Sequence, residues 1–154
     1  AFKLKANNPE TYLHWLRLEI AQKEWSKAVA VADRALKILP DAYEIIELKV
    51  TALRQAGFDL LRGLHYEKAE KMWTDAVEEV RRRIKSPETL PAGERKLNAS
   101  MYYTIVVCLD MLNQFPERNY WLERWEKEHP DDPQVASQKE YIKKKRGTLQ
   151  VGVS

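Results

Sequence analysis

The chain has 154 residues, about one domain's worth, and its 44% hydrophobic and 32% charged residues are the balance of a folded globular protein rather than a disordered one. Lysine and arginine number 26 against 23 acids, a formal charge of +3 that is too even to argue for nucleic-acid binding from charge alone. A single cysteine, Cys108, excludes an internal disulfide and a thiolate zinc site, and no apolar run approaches the ~20 residues that span a bilayer.

Helical periodicity sets in at Pro9, which suits a first helical turn, with Asn8 before it as N-cap. Along residues 10–23, Tyr12, Trp15, Leu16 and Glu19 form one stripe and Leu13, Arg17 and Ile20 a second, so this helix expects neighbours on two sides. A second helix repeats Ala28, Ala32 and Ala35, small residues that admit a close neighbour, and stops at Pro40. Asp41 is the expected N-cap of a third helix carrying Ile45, Leu48, Ala52 and Leu53, with Gly57 as its expected end. A fourth is predicted over 66–84, with Ala69, Trp73, Ala76 and Val80 on one face. The two prolines and one glycine of 85–93 predict a loop. A fifth helix over 94–113 includes the apolar run 105–109; its flanks and length favour a buried helix over a strand. A sixth is expected over 116–128, and a seventh from Pro133 to about Arg146, capped by Asp132.

Superposing the second helices of successive pairs shows a repeat. Trp25, Ala28, Ala32, Ala35 and Pro40 align with Tyr66, Ala69, Trp73 and Ala76, and then with Phe115, Arg118, Leu122, Trp125 and Pro130. An aromatic followed by small residues and a closing proline resembles the second helix of the tetratricopeptide repeat. The copies stand 41 and 49 residues apart (25 to 66, 66 to 115) against ~34 in a regular repeat, with the excess in 58–64 and 85–93. Tyr12, Trp15 and Glu19, with Arg34-Ala35-Leu36, also resemble the half-a-tetratricopeptide repeat of RNA-processing scaffolds.

The resemblance implies an all-α fold over residues 9–147: a right-handed superhelix of about three antiparallel helix pairs plus a C-terminal capping helix, with 1–8 and 148–154 as terminal extensions. It implies a concave groove lined by the first helix of each pair, here Leu13, Arg17, Ile20, Ile45, Lys49, Tyr103, Val107 and Asp110. The groove would be mainly apolar and would hold a peptide or amphipathic helix of a protein partner. On this lining, reversing Arg17 and Lys49 together is expected to weaken binding without changing melting. The positions that grip chaperone tails in some family members fall on Leu13, Arg17, Ile46, Ser100 and Thr104, which offer one cation, so that carboxylate clamp is not expected.

No chemistry can be assembled from the remaining residues. His14, His65 and His129 are dispersed, Cys108 has no basic neighbour in sequence, and no glycine-rich phosphate loop or nucleophile elbow occurs, so no catalysis, metal or cofactor is expected. The basic runs 81–83 and 143–146 read as solvated helix ends, and Asn98-Ala99-Ser100 as a glycosylation pattern inside a helix. Only Tyr120-Trp121, beside Arg118 and Arg124, comes near a base-stacking surface. Ala1 to Asn8 lacks a signal-peptide pattern, and with one cysteine the expected setting is intracellular, cytoplasmic or nuclear. The expected function is a protein–protein interaction scaffold within a larger assembly; the alternative is a scaffold subunit of an RNA-processing complex, touching RNA only indirectly.

Overall fold

The computed structural model describes residues 8–84 and 99–153, and among them the chain is all-helical. Helices α1 (Pro9–Ala21) and α2 (Trp25–Ile38) are followed by the longer α3 (Tyr43–Arg62) and α4 (Tyr66–Ile84). Then come α5 (Ala99–Met111), α6 (Phe115–Glu128) and α7 (Pro133–Val153). The 85–93 stretch, residues 94–98 of the expected fifth helix, Asn98 of the glycosylation pattern, and residues 1–7 lie outside the described residues.

Each hairpin is closed by the same turn. Glu24 N–H donates to the Glu19 carbonyl and Lys23 N–H to that of Ile20; His65 to Leu60 with Leu64 to Leu61, and Gln114 to Leu109 with Asn113 to Asp110, repeat the pair. These paired bonds across the helix end are the Schellman arrangement, which needs a left-handed residue just past the helix. Lys23, Leu64 and Asn113 occupy that position at φ 58, 63 and 59 degrees. Asn113 suits it, whereas Leu64 must bear the Cβ strain because Gly63 falls one residue too early.

Pairs are joined by a second recurrent turn. Ala42 N–H donates to Leu39 and Ile45 N–H to Ala42; Asp132 to His129 and Val135 to Asp132 do the same 90 residues later. The offset is general: α1, α2 and the starts of α3 coincide with α5, α6 and the start of α7 when 90 is added to each number. The chain is thus a three-helix unit used twice, with α4 between the copies.

Consecutive helices pack on one another from α1 to α7, and in addition α3 touches both α1 and α5. The alanines of α2 account for the close approach: Ala28, Ala32 and Ala35 are fully buried. One apolar core runs through all seven helices, from Tyr12 and Leu16 through Ile45, Val50, Trp73 and Val80 to Tyr102, Ile105, Trp125 and Val135. α5 is buried nearly all round, as its apolar run requires; beyond its first residue, Ala99, the residues that are not buried are Ser100, Tyr103, Val107 and Met111, a stripe at i, i+3, i+7 and i+11.

Three expectations are corrected here. Gly57 does not end α3 but lies inside it, where an added Cβ would stand 2.2 Å from Trp73 Nε1. The glycine serves close approach rather than a turn, and Phe58, edge-on to Trp73 with centroids 5.4 Å apart, begins a further turn and a half of helix. Most of the excess in 58–64 is therefore extra helix. Second, the N-cap of α3 is Ala42, with no side-chain bond, not Asp41. Third, the backbone of 148–153, expected as a terminal extension beyond a helix ending near Arg146, continues α7.

Candidate partner-binding face

The eight residues expected to line a groove do not share one surface. Leu13 and Ile45 belong to the core. Asp110 is buried as well: its Oδ1 accepts from Arg118 of α6, and its Oδ2 lies 3.4 Å from Lys145 Nζ of α7. Lys49 points toward the second helices, with its Nζ 2.7 Å from Asp33 Oδ1 on α2 and 3.2 Å from Glu79 Oε2 on α4. Four residues are left: Arg17, exposed; and Ile20, Tyr103 and Val107, half-buried.

The error is one of helix phase. On α3 the groove was expected along the stripe that starts at Ile45 and Lys49, but the solvent-facing stripe is Glu44, Thr51 and Gln55, rotated by about one residue, or ~100°. The polar residues at i, i+7 and i+11 were the available signal.

Bonds at both edges tie this α3 stripe to its neighbours. Glu44 Oε2 lies 3.6 Å from Arg17 of α1. Arg54 donates to Thr104 Oγ1 of α5 at 2.9 Å, and its guanidinium lies over the Tyr103 ring, 4.8 Å from the centroid. Arg17, Glu44, Thr51, Gln55, Arg54 and Tyr103 therefore run across three helices from three different hairpins. The surface is polar and aromatic, with mixed charge, and not the mainly apolar groove expected. Burial lowers the Arg54 pKa, partly countered by Tyr103 and Cys108. Burial likewise pushes the Cys108 thiol up to about 12, which leaves it protonated and unreactive.

The base-stacking candidate does not survive the geometry. Trp121 is buried, and Arg118 is buried against Asp110; of that group Tyr120 alone is exposed. Arg81 donates to Glu117, and Arg82 lies 3.5 Å from Glu79, so the first two members of the 81–83 run are in ion pairs. Among the described residues no group of three or more His, Cys, Asp or Glu side chains is placed to hold a metal ion, and no helix is long and apolar enough to cross a membrane. Comparisons with protein-family models, with curated proteins and with solved structures gave no match.

Proposed function

We propose that this chain is a tetratricopeptide-like interaction scaffold, without catalytic activity, that binds a protein partner through the face shared by α1, α3 and α5. The observation that supports it is the side-by-side contact of α3 with α1 and α5, which brings Arg17, Glu44, Thr51, Gln55 and Tyr103 onto one continuous surface. Solenoids of helix pairs use such a surface for binding because it gathers side chains from several repeats. An extended segment or helix with both charge signs fits it, its apolar anchor meeting Tyr103 and Val107 and its acid meeting Arg17. Thr51 is central and not part of the core, so Thr51→Arg blocks the face without unfolding the chain. Affinity capture with the parent and this variant, each with and without nuclease, tests the reading. The proposal expects a protein retained by the parent after nuclease and lost with Thr51→Arg. Capture that nuclease abolishes would favour the RNA-complex alternative, and equal capture by both chains would move the interface elsewhere.

A further inference from the structure

The 90-residue offset gives two valleys at corresponding positions in sequence, one between α2 and α3 and one between α6 and α7. The second is the more open because α7 packs less closely on α6 than α3 does on α2. In the first copy the valley lies between α2 and α3 and is flanked by α4, which packs extensively on α3. Lys49 lies in it, between Asp33 of α2 and the buried Glu79 of α4. Adding 90 carries Asp33 to Glu123, Lys49 to Lys139, Ala52 to Ile142 and Leu53 to Lys143. These four residues, with Leu122 and Glu126, line an open cleft of about 440 Å³ between α6 and α7.

Burial differs between the two valleys. The Lys49 side chain is 14% exposed and that of Lys139 is 52% exposed. Leu53 is buried where Lys143 is exposed, and Ala52 is fully buried where Ile142 is half-buried. Lys139 of α7 pairs across the cleft with Glu126 of α6, whereas Lys49 is held by an acid of a third helix as well, Glu79 of α4. α7 also carries Gly147 at the register of Gly57, the residue against which Trp73 of α4 is seated.

We infer that the α6/α7 cleft receives an amphipathic α-helix of a partner polypeptide, laid on α7 as α4 is laid on α3, with an acidic residue opposite Lys139 and Lys143. The chain itself shows what fits such a valley. α4 buries Ala69, Trp73, Ala76 and Val80 on one face and carries Glu79 beside them. In the open cleft Leu122 and Ile142 supply the apolar floor, and the two lysines, spaced i and i+4 on α7, fix the direction of the guest helix. This cleft is separate from the α1/α3/α5 face, so either assignment can fail alone.

The test uses the full chain and a 19-residue peptide with the sequence of α4, Tyr66–Ile84, as probe. Titration followed by amide chemical shifts is expected to give saturable changes centred on Leu122, Lys139 and Ile142, with a Kd below about 1 mM. Lys139→Glu with Lys143→Glu, both on exposed side chains, should raise that Kd at least tenfold. A peptide in which Glu79 is replaced by Lys should then bind the reversed chain to within about threefold of the original pair. Circular dichroism of the variant checks that the helices are intact. Saturable changes that map to other helices, no binding at 1 mM or so, or failure of the reversed peptide to recover affinity would overturn the inference. Self-association through the cleft, seen as a concentration-dependent sedimentation coefficient that the double reversal abolishes, would overturn it too, by naming a second copy as occupant.

Discussion

Removing the Lys49 charge should cost far more than its partly polar setting suggests. Its ammonium sits 2.7 Å from Asp33 and 3.2 Å from Glu79, and the Glu79 side chain is 3% exposed. Breaking a buried pair from one side leaves a desolvated charge behind, at a cost of 3–5 kcal/mol in general. Arg82 remains 3.5 Å from the same Glu79 oxygen, though itself 65% exposed, and Asp33 can turn to water. Lys49→Met is therefore expected to fall just below that range, at about 2–3 kcal/mol. With a urea slope of about 2 kcal/mol/M, the unfolding midpoint should fall by ~1–1.5 M. Lys49→Glu should cost more, since three carboxylates would then converge. The decisive arm is Lys49→Met combined with Glu79→Leu, which removes both buried charges and fills the space with apolar atoms. That double variant should lie within about 1 kcal/mol of the parent. If the single and double costs simply add, or if Lys49→Met costs under about 0.5 kcal/mol, the buried-pair reasoning is refuted. The expectation that Arg17 and Lys49 could be reversed together without loss of stability is corrected by the same geometry. Only Arg17, in an exposed pair with Glu44, can be reversed at a cost of under about 1 kcal/mol.

Three more outcomes follow from particular contacts. Gly57→Ala, which ordinarily gains ~1 kcal/mol in a helix, should instead destabilise by about 1–3 kcal/mol, because the new methyl meets the rigid indole of Trp73; a rise in melting temperature would contradict the close approach. Leu64→Gly should stabilise by about 1 kcal/mol in denaturant unfolding, since Leu64 is 69% exposed and held at φ 63 degrees. Glu117 lies below the usual carboxylate range because Arg81 donates to it, so its contribution is present above the unfolded value of ~4.3 and is lost as the pH falls through the lower folded value. Between about pH 5 and pH 3 the parent should lose up to ~1 kcal/mol more stability than Arg81→Ala, the pair being partly exposed; equal losses would show that the bond contributes nothing.

The helices were legible because their signals are local. Asn8-Pro9, the apolar stripe of α4 and the prolines after α2 and α6 mark boundaries that need no tertiary information. What failed needed a neighbour. Gly57 reads as a helix end unless Trp73 is known to lie against it, and Asp110 reads as a groove acid unless Arg118 and Lys145 are known to converge on it. Periodicity identifies stripes but leaves open which stripe faces solvent when a helix is packed on several sides, and on α3 the choice fell one residue away. The Schellman turns at Lys23, Leu64 and Asn113 carry no shared residue type, so the 90-residue unit was hidden in spacings of 41 and 49 and emerged only with the backbone bonds.

The proposed binding of a partner across α1, α3 and α5 is tested most directly by placing a photo-crosslinking residue at Gln55, on that face, and separately at Lys68, exposed on α4. Irradiated in extract of the source cells after nuclease treatment, the Gln55 chain should form one protein adduct that Thr51→Arg eliminates, and the Lys68 chain should not form it. The same adduct from Lys68, or an adduct from Gln55 indifferent to Thr51→Arg, would contradict the account.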